Sequence, residues 1–98
     1  MNRADALAIL RKHRDELRRR GVARAALFGS TVRGEASAES DVDVLLDIDP
    51  AANLGVFEYV AITRYLGEIF PVRVDVANRA TLKAHVRPSA ERDAVYAF

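Results

Sequence analysis

Cysteine is absent from the 98-residue chain, which excludes disulfides and thiolate metal sites. That suits a reducing compartment, and the expected location is the cytoplasm. No apolar run approaches the roughly 20 residues of a membrane-spanning helix. The N-terminus lacks a secretory-leader pattern, because its apolar residues are interrupted by Asp5 and followed by many charges. Charge of one sign is not in excess either: 15 Lys and Arg against 14 Asp and Glu leave a net charge of +1, so there is no strong case for direct nucleic-acid binding. Repeats, low-complexity stretches and linkers are also missing. Half of the residues are hydrophobic, an ordinary share for a globular protein. The expectation is one domain over residues 1–98, small but able to hold a single core.

Residues 3–20 read as one amphipathic helix, with Ala6, Ile9, Leu10, His13 and Leu17 on its core stripe and Gly21 ending it. The basic run Arg18-Arg19-Arg20 falls in its last turn, with Arg11, Lys12 and Arg14 nearby. It admits an RNA or acidic-partner patch, or a solvated face favoured by the helix dipole; the second is preferred. Val22 to Phe28 reads as a buried strand. Val42 to Ile48 is a second strand, broken by Asp49-Pro50. A helix from about Leu54 to Phe70, capped by Asn53, presents Tyr59, Ile62, Tyr65, Leu66 and Ile69 to the core. Phe57 and Val60 lie nearer its opposite side, beside Arg64; they form a contact surface, or Phe57 folds back onto the domain. Val72 to Val76 alternates as a third strand. Asn78 to Val86 is a loop or short helix, and a final helix starts near Pro88 and carries Ala90, Ala94, Val95, Tyr96 and Phe98. His85 has no ligand set around it. The order is α-β-α-β-α-β-α, an α/β or α+β arrangement with a helical crossover between the later strands.

One stretch carries the chemistry, Gly29-Ser30 followed ten residues later by Ser40-Asp41-Val42-Asp43. On a strand the side chains alternate, so Val42, Val44, Leu46 and Ile48 face the core and Asp41, Asp43, Leu45 and Asp47 face away. Two carboxylates held that close repel unless one takes up a proton or a cation intervenes, and oxygen ligands suit Mg²⁺. Asp75, between the core valines Val74 and Val76, faces away from the core as well. Upstream, Gly29 permits a close approach of the backbone to a ligand. Ser30 can cap a short helix whose free N–H groups face an anion, and Arg33 can fork onto phosphate oxygens. Phosphate donors followed by metal ligands is the layout for a nucleoside triphosphate with magnesium. The spacing of Gly29 and Gly34 is that of a Walker A loop, but Glu35-Ala36 stands where Lys and Ser/Thr are required. Asp41-Val42-Asp43 does not open an EF-hand, since apolar residues follow and the glycine is missing.

Gly29-Ser30, the ten-residue gap and Asp41-x-Asp43 resemble the signature of the DNA polymerase β-like nucleotidyltransferases. Arg33-Gly34 and Ser40 resemble the minimal nucleotidyltransferase branch, which supplies the antitoxin of HEPN/MNT toxin–antitoxin systems. The resemblance covers nearly the whole chain. It implies an α+β fold, a small mixed β-sheet with helices packed on it. It implies that Asp41, Asp43 and Asp75 hold two Mg²⁺ ions, that Asp75 accepts the hydroxyl proton, and that Gly29, Ser30, Arg33 and Ser40 belong to the ATP site. Larger relatives carry a second domain for the base and the acceptor, so here the acceptor comes from another molecule. In the antitoxin branch that molecule is a HEPN ribonuclease toxin, and AMP is attached to its tyrosine. Two alternatives stand beside this reading: transfer to a small molecule of the aminoglycoside type, and an antitoxin that silences its toxin by binding alone.

Overall fold

The computed structural model describes residues 1–28, 42–82, 88 and 92–98. Two helices open the chain, α1 (Arg3–Lys12) and α2 (Arg14–Arg19). The single helix expected over residues 3–20 is therefore divided at His13, whose N–H is shared between the Ile9 and Leu10 carbonyls at 3.2 Å each. The core stripe survives the division: Ala6, Leu10 and Leu17 are fully buried, joined by Leu7. Asn2 caps α1 by accepting from the Asp5 N–H. Gly21 follows α2 with φ of +102°, the left-handed geometry in which glycine ends helices.

Strands β1 (Val22–Leu27) and β2 (Val42–Ile48) pair antiparallel, with an irregularity between Val22 and Arg24. A 3-10 turn, Pro50–Ala52, is capped by the Asp49 carboxylate. Helix α3 (Val56–Ile69) then carries the chain to β3 (Val74–Asn78), which lies parallel to β2. The last strand, β4 (Val95–Tyr96), pairs antiparallel with β1 and completes a four-stranded mixed sheet of order β3-β2-β1-β4. Val95 and Tyr96 are thus an edge strand and not the end of a helix as expected; a β-branched residue and an aromatic suit a pleated edge better than a helix. The third strand begins two residues later than the expected Val72. Asn53 does not cap α3: it sits in the left-handed region at φ of 48° and ends the 3-10 turn, while Gly55 is the N-cap.

The core lies between one sheet face and the helices. Ala25, Leu27, Val42, Val44 and Leu46 meet Leu10, Leu17, Ile62, Leu66 and Phe70 there. Tyr59, Tyr65 and Ile69 pack partly buried against that cluster, so the expected arc of α3 is the one it buries. Among the described residues no helix is long and apolar enough to cross a membrane.

The basic run of α2 is engaged within the chain. Arg18 lies 5.3 Å from the centre of the Phe98 ring, and Arg20 4.6 Å from that of Tyr65. Arg19 and Arg20 both pair with Glu16. Partial burial raises the Glu16 pKa, but the hydrogen bonds and charges of Arg19 and Arg20 outweigh it, leaving the carboxyl below its ordinary value. His13 Nδ1 lies 2.6 Å from the Tyr65 hydroxyl, tying the helix break to α3.

Candidate active site

The sheet face opposite the core holds the described acids. Asp43 on β2 and Asp75 on β3 are direct register partners. In a parallel pair such partners point to the same face, with their strands about 4.8 Å apart. The flanking partners Val42–Val74 and Val44–Val76 alternate to the core side. The same valines that fill the core therefore turn both carboxylates away from it. Backbone bonds fix the pair on either side: the Phe28 N–H donates to the Asp43 carbonyl at 3.1 Å, and the Val42 N–H to the Arg73 carbonyl at 2.9 Å. Asp43 is half-buried and Asp75 exposed. Two like charges on neighbouring strands attract a cation, and their donors are all oxygen, which fits Mg²⁺.

Gly29, Ser30, Arg33, Ser40 and Asp41 lie outside the described residues. Among the described residues no group of three or more His, Cys, Asp or Glu is placed to hold a metal; Asp43 and Asp75 are the described members of the expected trio.

The rest of this face differs from a wet surface. Leu45, expected to share the exposed side with the aspartates, is only 1% exposed, and its β1 partner Ala26 is fully buried, yet neither belongs to the main core cluster. The second face is therefore covered at that row. One row further, Asp47 stands opposite Arg24 and accepts from Arg79 Nη1 at 3.4 Å. Arg24 in turn lies 3.8 Å from the centre of the Tyr96 ring. The sequence offers Arg79 as a partner for Asp75, but here it reaches Asp47, and nothing in the sequence singles out Asp47 or Arg24. The parity of Asp47 with Asp43 was visible, but the partners come from strands and turns distant in the chain.

A cleft of about 480 Å³ opens elsewhere, where β2 and β3 end, lined by Ile48, Leu54, Val56, Tyr59, Val60 and Asn78 among others. Burial raises the Tyr59 hydroxyl pKa above its ordinary value. This cleft begins five residues past Asp43 along β2, about 17 Å away, and does not include the acid pair.

Among known proteins, the nucleotidyltransferase domain family matches residues 10–97. The chain belongs to that family. The protein adenylyltransferase MntA of Thermococcus cleftensis is 38% identical to it over 90 residues, covering 91% of this chain and 89% of the relative. A solved minimal nucleotidyltransferase superposes with a TM-score of 0.75 at 28% identity, covering 97% of this chain and 95% of that one. A toxin–antitoxin crystal structure with AMP-PNP shares the fold, with a TM-score of 0.70 at 17% identity over all of this chain and 73% of that one. The mixed sheet with helices on it is the minimal nucleotidyltransferase fold. The chain is accordingly a nucleotidyltransferase, and the acid pair lies on a sheet face of that fold.

Proposed function

We propose that this nucleotidyltransferase is a protein adenylyltransferase and an antitoxin. It transfers AMP from ATP to a tyrosine hydroxyl of a cognate HEPN ribonuclease toxin and thereby silences it. The observation that carries this reading is the register pairing of Asp43 with Asp75, in a chain 38% identical to a protein adenylyltransferase.

In the proposed reaction the acceptor oxygen attacks the α-phosphorus of ATP. A bond from that oxygen to phosphorus forms, the bond to the pyrophosphate oxygen breaks, and pyrophosphate leaves. Asp75, the more exposed of the pair, takes the hydroxyl proton. Asp41, Asp43 and Asp75 would hold Mg²⁺, two ions in all, a role to which their oxygen-only donors and the like charge of the described pair are suited. When bound, the metal stabilises charge on the entering and leaving oxygens. Gly29 and Ser30 receive the triphosphate, with Arg33 and Ser40 beside it. The chain's own contribution is placement: β2 and β3 hold the carboxylates on a rigid sheet, which fixes the angle of approach before the reactants arrive.

The test uses the purified chain with ATP labelled at the α-phosphate, Mg²⁺ and the protein encoded beside it. Label is expected on that partner, with loss of its ribonuclease activity, and Asp43→Asn and Asp75→Asn are expected to abolish both. Silencing that survives Asp43→Asn without label would replace transfer with simple binding.

A further inference from the structure

The outward side of α3 carries the largest exposed apolar groups among the described residues: Val56 is 77% exposed, Phe57 88% and Val60 46%. Phe57 does not fold back onto the domain. At 3.6 residues per turn, Phe57, Val60 and Arg64 fall along one stripe with Ala61 at its edge, while Ile62 and Leu66 face the core. Elsewhere in this chain three aromatic rings are covered by arginine: Phe98 by Arg18, Tyr65 by Arg20 and Tyr96 by Arg24. Phe57 and Arg64 are an aromatic ring and an arginine left exposed, and neither side chain has a ring contact, hydrogen bond or ion pair among the described residues. They lie seven positions apart, about 10 Å along the helix, too far to meet each other.

The stripe reads alike in both directions. An identical helix laid antiparallel across a two-fold axis between Val60 and Ala61 sets Phe57 against Arg64 of the second copy, and Arg64 against its Phe57. Val60 and Ala61 then meet at the axis, where the small Ala61 side chain lets the helices approach. We infer that this face of α3 is an interface for a second copy of this chain, held by two reciprocal arginine–aromatic contacts. Such a symmetric pairing is what a two-fold dimer requires of one patch. A single helix crossing buries less than the about 800 Å² per partner of a standard stable complex, so the dimer is weak and depends on concentration. The patch borders the cleft at the ends of β2 and β3, whose lining does not include Asp43 or Asp75.

Sedimentation of the full chain over a wide concentration range tests this, with adenylyl transfer measured on the same samples so that either idea can fail without the other. The wild type is expected to self-associate at high concentration. Phe57→Ala is expected to weaken association about tenfold or more, since it removes both ring contacts. Phe57→Arg sets arginine against arginine and is expected to leave monomers, while the exchange Phe57→Arg with Arg64→Phe restores the dimer. Helical content by circular dichroism checks that each variant is folded. A wild type that stays monomeric throughout overturns the inference, as does a dimer that survives Phe57→Arg. Weakened capture of the adenylylation partner by Phe57→Ala, with self-association unchanged, would give the face to that partner and overturn it too.

Discussion

Neutralising Asp75 should separate stability from activity in an unusual direction. Asp43 and Asp75 stand on neighbouring strands in direct register. At about 5 Å two unit charges repel by roughly 1 kcal/mol in water-like surroundings and about 3 kcal/mol at an effective dielectric near 20. Asp75 is exposed, and both residues have further interactions within the chain, so the lower figure applies. Asp75→Asn keeps the shape and removes one charge. Without divalent metal the variant is expected to be more stable by ~0.5–1 kcal/mol, a rise in Tm of about 2–8 °C for a domain of this size. With Mg²⁺ and ATP the order should reverse, because the wild type gains binding energy that the variant cannot. Transfer should fall by about a hundredfold or more, the usual scale for losing a group that stabilises transition-state charge. The assay is thermal unfolding with and without Mg²⁺ and ATP, alongside transfer to the partner. A variant that melts lower than the wild type in the absence of metal, yet gains as much from Mg²⁺ and ATP, would refute the reasoning.

Gly21→Ala should destabilise by ~1–3 kcal/mol in urea unfolding, since φ is +102° and a Cβ there would lie 2.9 Å from that of Ala52. Leu46→Ala removes a fully buried side chain from the centre of the core and should cost ~2–5 kcal/mol by the same measure. Tyr65→Phe deletes the hydroxyl that meets His13; a loss of ~1 kcal/mol is expected, with the Arg20 contact to the ring kept. Glu16 has a lowered pKa in the folded chain through Arg19 and Arg20. Its stabilising contribution is therefore complete above the ordinary glutamate range and is lost as pH falls through the lowered value. Thermal unfolding of Glu16→Gln against pH should lack that acid-side slope, and a wild-type curve parallel to it would contradict the assignment.

What could be read from the sequence was local. The period of α3 identified Tyr59, Ile62, Tyr65, Leu66 and Ile69 as its buried arc, and strand alternation turned Asp43 and Asp75 from the core side. Those patterns need only a few neighbouring residues to express themselves. The failures were of another kind. Neither Gly nor Pro marks the break at His13; its side chain meets Tyr65, 52 positions away. Val95-Tyr96 is too short to show a period, and it is a strand only because β1 offers an edge. Leu45 has the parity of an exposed residue but lies under cover, because the second sheet face is covered at its row.

The acid pair shows how local and distant constraints combine. Alternation alone decides which way Asp75 points, not which residue it meets. A slip of β3 by one residue would carry Asp75 to the core side and Val74 and Val76 out of it, so the apolar pattern forbids that slip strongly. A slip by two residues keeps every face correct and moves Asp75 about 7 Å along β2, far enough to part the carboxylates. Hydrophobic patterning is nearly blind to that error. Backbone N–H groups find equivalent carbonyls after such a slip, so the contact that resists it is one between side chains, just past the end of the pairing, where Arg79 reaches Asp47 at 3.4 Å. A single ion pair at the partly exposed site of Asp47–Arg79 adds little to global stability, about 0–1 kcal/mol. Its value lies in discriminating between two registers that bury the same valines, only one of which brings Asp43 and Asp75 together.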